Sequence, residues 1–97
     1  MGHESVMDGM ELLNDLSKKL TLPERAVTAT KTLFEAALKQ GLQSKHNVLS
    51  LAAGSLYLFA KRYGLNVTLS QICTVAPVTR EEVIEAYDTL RKLPIQE

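Results

Sequence analysis

Val48-Leu49-Ser50-Leu51-Ala52-Ala53-Gly54-Ser55-Leu56-Tyr57-Leu58-Phe59-Ala60 carries no charge and, wound as a helix, has no polar face. A helix that is apolar or small all round has to be surrounded, and Ala52, Ala53, Gly54, Ser55 and Ala60 let neighbouring helices come close to its backbone. Glycine inside a helix costs roughly 0.5–1 kcal/mol relative to alanine, so Gly54 points to a position where a side chain would collide. A large residue there is expected to unfold the domain. The run is too short for a bilayer, which takes about 20 apolar residues. It reads as the buried part of a helix from roughly Asn47 to Arg62, re-entering solvent at Lys61-Arg62 and stopping at Gly64.

On the N-terminal side lies a polar connection, Gln43-Ser44-Lys45-His46-Asn47, preceded by an amphipathic helix with Ala26, Val27, Thr30, Leu33, Phe34, Ala37 and Leu38 inward and Gly41 as its left-handed stop. Its start carries a T-x-x-E spacing, Thr21-Leu22-Pro23-Glu24, which predicts a capping box with proline in the first turn. Before it, Val6, Met10, Leu13, Leu16 and Leu20 recur at steps of three and four, giving a first helix whose beginning Gly9 weakens. On the C-terminal side, Thr68-Leu69-Ser70-Gln71 opens a short helix through Ile72, Cys73 and Val75 that Pro77 ends. Thr79-Arg80-Glu81-Glu82 opens a last helix with Val83, Ala86, Tyr87 and Leu90 inward and Arg91-Lys92 placed in its final turn, opposite the dipole. No alternating run flanked by hairpin turns supports β structure.

The 97 residues, 45% hydrophobic and 23% charged, suffice for one core without a disulfide or metal staple. Residues 10–93 are read as one all-α, five-helix domain around the central small-residue helix, with 1–9 an N-terminal extension and 94–97 a tail. Met1-Gly2-His3 is either an added remnant or the natural start. The lone Cys73 cannot form an internal disulfide and no signal-peptide pattern opens the chain, so an intracellular protein is expected. That means cytoplasmic in a prokaryote or archaeon and nuclear in a eukaryote. Net charge is zero but unevenly spread. Residues 1–17 hold Glu4, Asp8, Glu11 and Asp15 and no Lys or Arg. Lys18, Lys19, Arg25, Lys31, Lys39, Lys45, Lys61 and Arg62 then face only Glu24 and Glu35, and the last third is mildly acidic. An anionic partner is expected to meet the middle.

Catalytic patterning is absent. His46 sits in a connection, His3 near the terminus, and Cys73 beside Ile72 reads as a buried, inert thiol. No phosphate-binding glycine loop and no C-x-x-C zinc spacing occurs. Capping and dipole compensation account for Glu81 and Glu82, so a metal or acid–base role for these acids with Glu85 is not favoured. The chain is expected to be no enzyme and to need no cofactor, metal, small-molecule substrate or membrane.

The order of these pieces resembles one cyclin-like repeat of the transcription initiation factor IIB family. The likeness covers about Met10 to Leu93, through Leu20-Thr21-Leu22-Pro23-Glu24, Leu51-Ala52-Ala53-Gly54-Ser55-Leu56-Tyr57-Leu58-Phe59-Ala60-Lys61 and Thr68-Leu69-Ser70-Gln71-Ile72. The resemblance implies a cyclin-like fold and, as partners, the TATA-binding protein with promoter DNA or RNA polymerase. Family members carry two repeats behind a zinc ribbon, whereas this chain has room for one and lacks the ribbon cysteines. It is read as either one repeat of a longer protein or a stand-alone relative.

Departures fall where the family makes contacts. Lys45-His46-Asn47 stands where the family has Gly-Arg and a small residue, and Val67 replaces a common arginine. The stretch Thr79-Arg80-Glu81-Glu82-Val83-Ile84-Glu85 is acidic where the C-terminal type of repeat reads bases, and carboxylates facing phosphates are repelled. The match is closer to the N-terminal type of repeat. The expected function is a transcription-initiation-type module that docks on a DNA-bound factor or polymerase with at most non-specific DNA backbone contact. Lys45, His46, Lys61, Arg62 and Arg80 are the candidate contacts. The alternative is a protein-interaction adaptor of the same fold that binds no DNA.

Overall fold

The computed structural model describes residues 6–93, in five helices: α1 (Val6–Lys19), α2 (Glu24–Lys39), α3 (Val48–Arg62), α4 (Leu69–Val75) and α5 (Arg80–Leu90), with a 3-10 turn at Leu42–Ser44. Met1-Gly2-His3, the tail 94–97 and the inward placement of the Val6 side chain lie outside what is described. No strand occurs among the described residues.

All four other helices pack on α3, and eleven of its fifteen residues are buried. The absence of a polar face thus becomes encirclement. On α5, Ala86 and Tyr87 come so near that a Cβ built on Gly54 would stand 2.9 Å from the Ala86 Cβ and 3.0 Å from the Tyr87 backbone nitrogen. Two of the three buried hydroxyls turn back on their own helices, Thr30 Oγ1 donating to the Ala26 carbonyl and Ser55 Oγ to that of Leu51, each at 2.7 Å, while the buried Ser50 Oγ has no such bond. From α1 the core receives Leu12, Leu13 and Leu16, from α2 Leu33 and Phe34, from α4 Ile72, and from α5 Val83, Ala86 and Leu90.

Several helix boundaries follow the expected punctuation. Thr68 with Gln71 and Thr79 with Glu82 form complete capping boxes, and Gly41 (φ 76°) and Gly64 (φ 66°) take the left-handed conformation after α2 and α3. After α3 the Leu65 amide donates to the Ala60 carbonyl at 2.8 Å and the Gly64 amide to that of Lys61 at 3.3 Å, the paired bonds of a Schellman stop.

Three expectations are corrected. Thr21 does not cap α2: it adopts φ 52°, and the bonds Leu22 N–H to Ser17 and Thr21 N–H to Lys18 make it the left-handed residue that ends α1. Pro23 is left as the N-cap of α2, without a side-chain bond. Arg91 and Lys92 lie just beyond α5 rather than in its last turn, and both face Asp88, at 2.8 and 3.9 Å. Cys73 is half-buried rather than buried, because the short α4 lies over the core without being enclosed.

Candidate nucleic acid and partner interface

The two basic ends of α3 are built differently. At its start, Asn47 is the N-cap, its Oδ1 accepting the Ser50 amide at 2.7 Å. Its Nδ2 faces Glu82 Oε2 at 3.5 Å, while Glu82 Oε1 accepts the Thr79 amide at 2.9 Å. One carboxylate therefore serves the starts of both α3 and α5. His46 is half-buried, and a hydrogen bond between its Nε2 and Thr89 Oγ1, 3.1 Å apart, holds it against α5. Lys45 is exposed.

At the other end, cations lie on aromatic rings. Lys61 Nζ is 5.2 Å from the Tyr57 ring centre, and Tyr57 meets Tyr87 edge-on at 5.2 Å. Arg62 lies 5.6 Å from the Phe59 ring, Phe59 lies 5.7 Å from Tyr63, and Arg25 of α2 covers Tyr63 at 5.6 Å. Such contacts at exposed sites are worth about 0.5–1 kcal/mol each. Beside them opens a shallow trough of about 350 Å³ lined by Leu58, Lys61, Arg62, Tyr87 and Arg91.

α5 lies across α3, not along it. Glu82 and Thr89, two turns apart on one flank, meet the residues before α3, whereas Tyr87 and Arg91 on the other flank line the trough at its end. This geometry separates the five candidate residues. Lys61 and Arg62 share one trough. Lys45 and His46 are displaced by the length of α3, about 20 Å at 1.5 Å per residue. Arg80 is at the far end of α5, about 16 Å along the axis from Arg91, where its guanidinium donates to Ser70 Oγ and ties α5 to α4. Sequence reasoning missed Arg25 and Arg91 at the end of α3, because each is brought there by a different helix.

Among the described residues no group of three or more His, Cys, Asp or Glu is placed to hold a metal ion, and no helix is long and apolar enough to cross a membrane.

A small-residue helix encircled by four others is the architecture of a cyclin-like repeat. The family model described as the transcription factor TFIIB repeat matches residues 3–93, and the chain belongs to that family, one of transcription factors rather than enzymes. It is similar to transcription initiation factor IIB 2 of Thermoplasma volcanium, with 24% identity over 83 residues, 86% of this chain and 26% of that protein. Similarity to transcription initiation factor IIB of Aeropyrum pernix is 25% over 92 residues, 90% of this chain and 29% of that protein. For the human transcription initiation factor IIB it is 22% over 89 residues, 91% and 28%. The chain spans little more than a quarter of the length of these relatives.

Proposed function

We propose that this transcription-initiation-related module, with residues 10–93 as its working unit, docks on a DNA-bound factor or on RNA polymerase and touches DNA only through backbone phosphates. It has no catalytic role in this reading. The observation that carries it is the trough at the end of α3, where Lys61, Arg62 and Arg91 converge on a chain whose family match runs from residue 3 to 93. Lys61 and Arg62 are the central phosphate contacts. Lys45, His46 and Arg80 are outlying ones, reached only by a partner that passes along α3 or α5. The TATA-binding protein with promoter DNA is the partner assembly to test first.

Phosphate neutralisation releases counterions, so such binding weakens steeply with salt. Labelled duplex DNA, titrated with the 97-residue chain at low and moderate salt with and without the TATA-binding protein, is expected to give a salt-sensitive complex. Lys61→Glu with Arg62→Glu should weaken it about tenfold or more and flatten the salt slope by about 2. Absence of any complex at low salt, with the TATA-binding protein present, overturns the DNA-contacting reading. The adaptor without DNA contact then stands. That second reading is favoured by the outward acids Glu81, Glu85 and Asp88 of α5, which repel a duplex laid along the helix.

A further inference from the structure

We propose that α4 is a flap that opens by itself while the other four helices stay folded, and that Arg80 holds it shut. The outermost of the candidate cations thereby gains a holding role that does not depend on any partner.

Among the five helices α4 is the one that buries a single side chain, Ile72, whereas α1, α2 and α5 each commit at least three to the core. Leu69, Cys73 and Val75 are only half-buried, and Ser70, Gln71 and Thr74 are exposed. Burial of apolar surface sets most of the cost of separating an element, so α4 is the easiest of the five to lift. Its polar groups add little, because they are satisfied within the segment. The Ile72 amide donates to the Thr68 carbonyl at 3.1 Å and the Ala76 amide to that of Ile72 at 2.8 Å, Thr68 and Gln71 close their capping box, and Thr74 Oγ1 donates back to the Ser70 carbonyl at 2.7 Å. Among the described residues, the one hydrogen bond that joins α4 to another helix runs from the Arg80 guanidinium to Ser70 Oγ.

Both ends of the flap are built as hinges. The Val67 amide donates to the Leu65 carbonyl at 2.9 Å and the Val78 amide to that of Ala76 at 2.8 Å. Each is a three-residue γ-turn, the second centred on Pro77, whose ring fixes φ near the value such a turn needs. Beyond the turns the chain is anchored, by the Leu65 amide on the Ala60 carbonyl on one side and by the buried Val78 on the other. Opening therefore turns the chain at two points, breaks the Arg80 clip and withdraws Ile72. α3 stays covered by α1, α2 and α5.

The test places a reporter thiol in the full chain by Ile72→Cys in a Cys73→Ser background, with Ala37→Cys in the same background as the control on α2, both positions being fully buried. Labelling by N-ethylmaleimide is followed by mass spectrometry across sub-denaturing urea. The thiol at 72 is expected to react about 100-fold or more faster than that at 37, at a rate nearly independent of urea, because lifting one short helix exposes little surface. At 37 the rate should climb steeply with urea, as global unfolding does. Arg80→Gln should raise the rate at 72 about fivefold, as for the loss of one hydrogen bond, and Ser70→Ala should match it, with no further gain from the pair. Equal rates and urea slopes at 72 and 37 overturn the flap, and an unchanged rate at 72 in Arg80→Gln and Ser70→Ala overturns the clip. Since Ile72→Cys itself trims the contact beneath α4, hydrogen exchange of the unsubstituted chain supplies an independent reading. There the Ala76 amide is expected to exchange faster than the Leu33 amide and with a flatter urea dependence, and matching behaviour of the two would equally overturn the flap.

Discussion

A methyl group added at Gly9 would overlap Phe34 Cζ and stand 2.9 Å from Cε2 and 3.0 Å from Val48 Cγ1. The Phe34 ring is fully buried and boxed in. Helix propensity alone says that Gly9→Ala should stabilise α1 by up to about 1 kcal/mol. Overpacking a filled core costs about 1–3 kcal/mol, so the contact wins and Gly9→Ala is expected to destabilise the domain, as a shift of the urea midpoint to lower concentration would show. Thr21 is the opposite case. It is exposed, β-branched and held at φ 52°, a conformation that costs an L-residue about 1–2 kcal/mol, so nothing but strain is lost on replacing it. After about 0.5–1 kcal/mol is returned through the freer unfolded chain, Thr21→Gly should still raise stability by about 0.5–1 kcal/mol, measurable in the same titration.

Among elements, the pairing of α3 with α5 decides stability. The atoms that a side chain at 54 would meet include the Tyr87 backbone nitrogen, which cannot rotate away. Gly54→Leu is therefore expected to abolish the cooperative thermal transition, and a near-normal Tm would refute the packing. This much was legible in the sequence because a helix with no polar face has only one environment. The two capping boxes and the glycine stops were legible because their bonds close within a few residues. Thr21 was not, since the same residue suits the end of α1 and the start of α2, and only the turn geometry chooses. Gly9 was misread as a weakness because its reason lies on α2 and α3. The candidate site was legible only in part. Lys61-Arg62 stand out as the polar end of an apolar helix, but Arg25 and Arg91 join them through folding. Lys45, His46 and Arg80 are separated from that end by the way α5 crosses α3.

For the whole molecule, the location of charge matters more than its sum. The chain is neutral, yet the end of α3 concentrates cations while α5 turns its acids outward. In the proposed reading the central phosphate contacts therefore lie at that edge of the bundle. Encirclement of α3 has its own global consequence. Its amides cannot reach water unless the surrounding helices separate, so hydrogen exchange across Leu51–Phe59 should proceed only through complete unfolding, with protection equal to the global stability. Faster exchange there than in α2 would contradict that arrangement. Because α5 is the last of the five helices to be synthesised and it covers Gly54, a nascent chain emerging from the ribosome holds an uncovered small-residue helix until nearly all of the described residues are out. Closure over Gly54 therefore waits for α5, and until then this small-residue surface is within reach of chaperones and of other nascent copies.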